Sequence, residues 1–119
     1  MTRNRQAAER RGRIGESVAA LWLNLQGWSV VARRLRTPVG EVDLVARRGR
    51  TTLFVEVKTR ATRAGRDLAI DHYRLSRVAA AAQMLSARYA KPGDDLRIDV
   101  ILLAPWAWPR HIRNAWMGD

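Results

Sequence analysis

Four charged side chains stand within two otherwise apolar segments of this chain. They are Glu41 and Asp43 in the first segment, and Glu56 and Lys58 in the second. Side chains alternate between the two faces of a strand, so each pair shares one face if both segments are strands. Carboxylates gathered in this way are suited to hold a hard divalent metal ion through oxygen.

A tight turn between the two segments determines how these side chains oppose each other. Gly49 suits the first central position of a two-residue turn, where φ is positive. The resulting register places Asp43 opposite Glu56, and Glu41 opposite Lys58, with Cβ atoms about 5 Å apart. Two opposed carboxylates repel each other unless a cation or a proton lies between them. The alternative is a solvated face with cross-strand salt bridges, which suits the second pair but not the first.

The balance of charge points to a polyanionic partner. The 119 residues carry a formal net charge of +11, and nucleic acid is the simplest such partner. Solubility, or a GC-rich genome that favours Arg codons, is the alternative, because Arg outnumbers Lys by 20 to 2. Lys58 is one of those two lysines. It offers a compact ammonium whose pKa shifts readily on burial, a role that Arg cannot take.

The composition excludes several classes of site and protein. Without cysteine, the chain has no disulfide, no zinc–thiolate site and no thiol nucleophile. No apolar run is long enough to span a bilayer, and the basic start lacks the apolar stretch of a signal peptide. We therefore expect a cytoplasmic protein with no membrane partner. Its single domain would span residues 13–119, after a basic arm at residues 1–12.

The apolar pattern predicts an α/β domain with a mixed sheet flanked by helices, in the order α-β-β-β-α-β. The first helix spans residues 13–26 and ends at Gly27. Its expected buried stripe is Ile14, Val18, Leu21, Trp22 and Leu25. The second helix, capped by Asp71, makes the last strand parallel to its neighbour. Its expected buried face is Leu75, Val78, Ala82, Leu85 and Tyr89. The expected strands are residues 28–35, 40–47, 51–59 and 96–104. Residues 60–67 are expected to form a mobile basic loop, and the tail to add a short strand.

A set of motifs, in order along the chain, resembles those of a known family. The motifs are GESVAA at residues 15–20, GEVDL at 40–44, FVEVKTR at 54–60, RIDV at 97–100 and the stretch around His111. Together they resemble the YraN family of small bacterial proteins in the PD-(D/E)xK nuclease superfamily, which is similar in fold to archaeal Holliday-junction resolvases. The resemblance implies a restriction-endonuclease-like fold over roughly residues 12–116.

The resemblance also implies an activity, the metal-assisted hydrolysis of phosphodiester bonds in DNA, branched or structured DNA included. Asp43, Glu56 and the carbonyl of Val57 would hold Mg²⁺ or Mn²⁺. Lys58 would orient the attacking water or stabilise charge in the transition state. Glu16 would reach the site from the first helix as a further catalytic carboxylate. The alternative is a non-catalytic nucleic-acid-binding protein with the same fold.

Arginines near the site form the expected phosphate-binding set. They are Arg34, Arg60, Arg63, Arg66 and Arg74, each of which alone would be an ordinary solvated charge. The family usually has Asn where Arg34 stands and Lys where Arg74 stands. Trp106, Trp108 and Trp116 would stack on unpaired bases, or else pack on the core or at a subunit interface. A two-fold homodimer would suit a symmetric junction.

Overall fold

The fold is a five-stranded mixed sheet with helices on both of its faces. The computed structural model describes residues 3–67 and 71–116. The helices are α1 (Arg3–Leu25), α2 (Arg63–Asp67) and α3 (His72–Tyr89). The strands are β1 (Ser29–Thr37), β2 (Gly40–Arg48), β3 (Thr51–Thr59), β4 (Asp95–Leu103) and β5 (Arg110–Ile112). No helix among the described residues is long and apolar enough to cross a membrane.

The strand order confirms the predicted mixed sheet. The strands lie in the order β1-β2-β3-β4-β5, and every neighbouring pair is antiparallel except β3 and β4. The connection through α3 makes β4 parallel to β3, as expected of a helical crossover. β5 is the short strand expected in the tail. The expectation of a loop at residues 60–67 was wrong in part, because α2 occupies its second half.

Alternating side chains of the two central strands build an apolar layer on each face of the sheet. Leu44 and Leu53 cluster with Leu23 of α1. Val45 and Phe54, their neighbours in sequence, cluster on the opposite face with side chains of α3. Because both faces are covered, a charged side chain on β2 or β3 must find a partner or reach the end of the sheet.

The hairpin of β2 and β3 has the predicted register. Gly49 adopts a φ of 58°, as the first central position of the turn requires. Pairing then continues to Leu44 opposite Val55. The next step of the same register is Asp43 opposite Glu56, one position beyond the last paired residues. The two carboxylates therefore stand where the ladder between these strands ends.

The N-terminal helix is longer than predicted, and it ends as predicted. α1 begins at Arg3 rather than at residue 13, so the expected basic arm is helical from that point. At the other end Gly27 has a φ of 87°. The N–H of Trp28 donates to the carbonyl of Leu23 at 3.0 Å, the long bond that closes a Schellman cap.

The predicted buried stripe of α1 was wrong except at Trp22, which is partly buried against the core. The residues that α1 buries are mostly small: Gly15, Ala19, Ala20 and Leu23. The bulkier stripe is 43–75% exposed: Ile14, Val18, Leu21 and Leu25. The cause is a close approach to the sheet, since a Cβ at Gly15 would collide with Oγ1 of Thr59 on β3. Small residues permit that approach, and the bulky side chains remain outside it.

The second long helix follows its prediction more closely. The carboxylate of Asp71 caps α3 by accepting hydrogen bonds from the backbone N–H groups of Tyr73 and Arg74. Its buried residues are Leu75, Val78, Ala81 and Ala82. Leu85 and Tyr89 are partly buried against the same face.

Two glycines of α1 provide a matched test of the close helix–sheet contact. Gly15→Ala should lower the free energy of unfolding by about 1–3 kcal/mol, because the added methyl overpacks against Thr59. Gly12→Ala should raise it by about 0.5–1 kcal/mol, because that position is exposed and has nothing within 4 Å. Urea unfolding of both variants measures the difference. Equal stabilisation by the two alanines would contradict the close contact.

Candidate functional site

A cleft of about 880 Å³ opens where α1, the ends of β2 and β3, and the segment after β4 meet. Its charged lining consists of Glu16, Asp43, Lys58, Arg60 and Arg74. Val57 and Thr59 of β3 also line it. The structure therefore brings together most of the predicted site residues, from one helix, two strands, the start of α3 and the segment that follows β3.

Asp43 is the most perturbed carboxylate at the cleft. The pKa of Asp43 is raised from 3.8 to about 6, chiefly by burial and to a smaller extent by the nearby negative charges of Glu16, Glu56 and Glu41. The N–H of Val57, which donates to Oδ2 of Asp43 at 2.7 Å, opposes part of this rise. The fold thus disfavours the charged form of Asp43 unless a cation lies beside it.

Glu56 is held by two cations in the structure. The Nζ atom of Lys58 lies 3.1 Å from Oε1 of Glu56, and Nε of Arg74 lies 3.2 Å from the same oxygen. Both Glu56 and Lys58 are buried, whereas the Arg74 side chain is about half exposed. Glu56 does not itself line the cleft among the described residues. The two cations that compensate its charge, Lys58 and Arg74, do line the cleft.

Glu16 enters the cleft because of the close packing of α1 next to it. Gly15 sits against Thr59 at the end of β3, so the following residue lies at the same end of the sheet. The carboxylate of Glu16 forms a charge-assisted hydrogen bond with Nε of Arg34 on β1. Arg34 adopts a φ of 53°, which is uncommon for a residue with a side chain. This predicted phosphate-binding arginine is thus engaged with a predicted catalytic carboxylate.

The remaining predicted arginines divide into exposed and buried ones. Arg60 and Arg63 are exposed, and Arg60 lines the cleft. Arg66 is buried and donates from Nη1 to the carbonyl of Trp108 at 2.7 Å. Because Arg66 is buried and bonded to the protein backbone, it is less accessible to a phosphate than Arg60 and Arg63 are.

Glu41 takes the nearby arginine rather than the lysine. Its carboxylate lies 3.7 Å from Nε of Arg36, with both side chains more than half exposed. The alternative of a Glu41–Lys58 salt bridge is not adopted, since Lys58 contacts Glu56. A solvated ion pair of this kind contributes at most about 1 kcal/mol.

The C-terminal wall of the cleft was missed by sequence reasoning. It is formed by Leu103, Ala104, Pro105, Ala107 and Pro109. Between the last three stand Trp106 and Trp108, both exposed. The two prolines around an aromatic pair were the signal in the sequence, because they restrict the backbone of an otherwise short connection.

A second buried carboxylate organises the C-terminal segment behind this wall. Asp99 of β4 is fully buried and accepts hydrogen bonds from Arg97 and from the backbone N–H of Asn114, both at 2.9 Å. Its Oδ2 also lies 2.7 Å from Nε2 of His111. These contacts join Asp99 of β4 to the C-terminal segment.

The donor atoms at the cleft are those of a hard-metal site, although no full ligand cage is present. Within the described ranges, no group of three or more His, Cys, Asp or Glu side chains is placed to hold a metal ion. Two carboxylates, Asp43 and Glu56, are available with the main chain of Val57. The N–H and C=O of one residue leave a strand on the same side, so the Val57 carbonyl faces β2 and Asp43. An all-oxygen set of this type suits Mg²⁺ or Mn²⁺.

Comparison with known sequences places this cleft in a family. Residues 15–103 match the Uncharacterised protein family UPF0102. The chain belongs to the UPF0102 family. A UPF0102 protein of Erythrobacter litoralis is 64% identical over 94% of this chain and 97% of its own length. One from Paramagnetospirillum magneticum is 44% identical over 99% of this chain and 95% of its own length.

The family region contains the charged side chains of the cleft. Glu16, Asp43, Lys58, Arg60 and Arg74 all lie within residues 15–103. Trp106 and Trp108 lie beyond the matched residues. The UPF0102 match therefore supports the YraN-type resemblance. It covers the cleft residues on α1, β2 and β3 but not the two exposed tryptophans.

The buried Asp99 cluster predicts how stability depends on pH. Burial alone would raise the pKa of Asp99, but hydrogen bonds from His111, Arg97 and Asn114 outweigh it and hold the pKa below 3.8. A lowered folded pKa means that the unfolded chain binds the proton more readily. The contribution of Asp99 is therefore fully present above the unfolded value, and it is lost as pH falls through the folded pKa.

Asp99→Asn should therefore lower the free energy of unfolding at neutral pH by roughly 3 kcal/mol, the scale for breaking a buried charge network. The difference from wild type should shrink as the pH falls below about 4. Asp95→Asn, at an exposed position of the same strand, is the control and should change stability little. Urea unfolding across the acid range measures both. A difference that stays constant with pH would contradict this account.

Proposed function

We propose that the protein is a metal-dependent endonuclease that hydrolyses phosphodiester bonds in nucleic acid, most simply DNA, on a restriction-endonuclease-like fold. The observation that carries the proposal is the convergence of Glu16, Asp43, Val57 and Lys58 on one cleft. The mixed sheet supports it as well, since the acid and Glu-x-Lys motifs stand on adjacent strands as the PD-(D/E)xK resemblance implies. Nucleic acid as substrate would place the protein in the cytoplasm.

The metal would be held by the carboxylates of Asp43 and Glu56 and the carbonyl of Val57. Among the described residues, Asp43 is buried beside other carboxylates without a cation of its own, and a divalent ion there would stabilise its charged form. Once bound, Mg²⁺ or Mn²⁺ would polarise the scissile phosphate and lower the pKa of a bound water. Glu56 would give up its contact with the half-exposed Arg74 for the cation and keep Lys58 beside it.

The other cleft residues have roles that follow from their charge and placement. Lys58 offers a buried ammonium beside Glu56, where it can orient a water or stabilise a developing negative charge. Glu16 adds a carboxylate that is anchored by Arg34. Arg60, with Arg74 on the same lining and Arg63 beyond it, would contact the phosphates of the bound strand.

A second candidate function is nucleic-acid binding without catalysis, and one observation favours it. Glu56 is already neutralised by Lys58 and Arg74, so the site is partly balanced without a metal. In that case the net charge of +11 would give salt-dependent binding, and added metal would change neither stability nor the nucleic acid. The two tests below separate the candidates.

Lys58 should be needed for cleavage but not for folding. Lys58→Ala should lower the cleavage rate about 100-fold or more, the usual cost of one preorganised electrostatic group. Lys58→Arg should not restore the rate, because a planar guanidinium differs from a compact ammonium. The assay uses duplex, single-stranded, flap and four-way DNA with Mg²⁺ or Mn²⁺.

The control for this assay is the other lysine of the chain. Lys91→Ala removes an exposed lysine in the turn after α3 and should leave the rate unchanged. Circular dichroism of each variant checks that the fold is retained. Cleavage by Lys58→Ala at the wild-type rate would remove this residue from the mechanism, and no cleavage by the wild type on any substrate would favour the binding alternative.

Metal binding should be visible as stability even without a substrate. A cation that binds the folded state stabilises it by about 2.7 kcal/mol at a hundredfold excess over its dissociation constant. Millimolar Mn²⁺ should therefore raise the melting temperature of the wild type relative to EDTA. Asp43→Asn should be at least as stable as the wild type in EDTA, since it removes a costly buried charge, and should respond little to Mn²⁺.

Glu41→Gln is the matched control for the metal response. Glu41 is exposed and paired with Arg36, outside the cleft lining. This variant should keep the wild-type response to Mn²⁺. An equal metal response in Asp43→Asn and the wild type would show that Asp43 is not a ligand.

A further inference from the structure

The connection between β4 and β5 carries two tryptophans whose rings stand in solvent. Trp106 is 101% exposed and Trp108 is 83% exposed. A tryptophan ordinarily contributes 150–250 Å² of buried surface, and a contiguous exposed apolar patch usually marks a binding site. The neighbouring residues Pro105, Ala107 and Pro109 line the cleft. Trp106 and Trp108 alternate with these lining residues along the chain, so the segment that carries the rings borders the candidate active site.

The backbone at Trp106 is strained, and no packing of its side chain within the described part of the protein compensates for the strain. Its φ is 60°, in the left-handed region that disfavours bulky side chains. Such strain persists where the surroundings fix it, and it concentrates at ligand-binding sites. A fully exposed ring offers no internal contact in compensation. The strain thus points to an external ligand for the ring.

The loop is held in place at its C-terminal end. The buried Arg66 donates to the carbonyl of Trp108 at 2.7 Å. Immediately after Pro109, β5 pairs with β4, with Arg110 opposite Leu102. A fixed loop loses little conformational entropy when a ligand binds, so its rings are preorganised for contact.

The charge around the loop identifies the class of ligand. Arg60 and Arg74 line the same cleft, and the chain as a whole is strongly basic. Aromatic faces near arginines are a usual site for single-stranded nucleic acid, because unpaired bases stack on the rings while the phosphates contact the cations. Bases inside a duplex are already stacked on each other and cannot reach these rings. A second copy of this chain is disfavoured by the repulsion of two positive surfaces.

We propose that Trp106 and Trp108 form a base-stacking platform for unpaired nucleotides next to the cleft. The proposal rests on the proposed function and defines its substrate class. The nucleic acid would contain a single-stranded or splayed segment beside the scissile phosphate.

Binding measurements without metal test the platform separately from catalysis. The probes are a fluorescein-labelled oligothymidylate and a blunt duplex of equal length, titrated in EDTA over a series of NaCl concentrations. Wild type should bind the oligothymidylate more tightly than the duplex. Trp106→Ala and Trp108→Ala should each weaken oligothymidylate binding about tenfold and change duplex binding little. The slope of log affinity against log salt should be unchanged, because no phosphate contact is removed.

Two further variants distinguish stacking from a structural role. Trp106→Gly relieves the positive φ, so it should be at least as stable as the wild type in urea while losing oligothymidylate affinity. Leu25→Ala removes a side chain that is 75% exposed and outside the cleft, and it should bind like the wild type. Wild-type affinity of Trp106→Gly for oligothymidylate would overturn the platform.

The remaining outcomes separate this proposal from the one it rests on. Failure of the wild type to bind either probe at low salt would overturn the nucleic-acid function and the platform together. Equal binding of both probes, unaffected by the tryptophan variants, would overturn the platform and leave the nuclease proposal standing. Light scattering that shows a dimer lost in the tryptophan variants, with oligothymidylate affinity unchanged, would reassign the rings to a protein interface and overturn the platform.

Discussion

The placement of negative charge at one end of a sheet that is covered on both faces constrains the rest of this structure. Each of the three carboxylates there has a different compensating contact: the Val57 N–H for Asp43, two cations for Glu56, and Arg34 for Glu16. Compensation is least complete at Asp43, whose pKa rises to about 6. Asp43 is therefore the carboxylate whose charged form would gain most from the cation of the proposed function.

The fold was predictable from sequence where local chemistry decided it. Gly49 and the alternation of β2 and β3 gave the correct hairpin register, and Gly27 and Asp71 gave the correct helix ends. The buried face of α1 was not predictable in this way. Hydrophobic periodicity identifies the most apolar face of a helix. The face of α1 that packs on the sheet is instead the one with the smallest side chains, at Gly15 and Ala19, because it permits the closest approach. Which face of the helix packs depends on the shape of the sheet surface, and the sequence of the helix alone does not give that shape.

The site shows the same division. Asp43, Glu56 and Lys58 were selected from their spacing, because strand geometry determines the face on which each side chain lies, whereas Val57 came only from the resemblance. The basic segment at residues 60–67 was expected to be a loop, whereas α2 forms there and buries Arg66, which donates to the carbonyl of Trp108. Contacts between elements distant in sequence, such as Glu16 with Arg34, depend on how those elements pack and could not be derived from spacing.

Under the proposed function, the two cations on Glu56 would link phosphate binding to metal binding. Arg74 is half exposed and lines the cleft, so a phosphate entering there would compete with Glu56 for the same guanidinium. In that exchange Arg74 would pair with the phosphate instead of Glu56. Glu56 would then have one cation fewer beside it and would be a better ligand for a divalent cation. Lys58 is buried and stays beside Glu56, so the carboxylate is never left as an isolated buried charge. Under the proposed function, metal and phosphate would favour each other's binding, because each would compensate the charge that the other exposes.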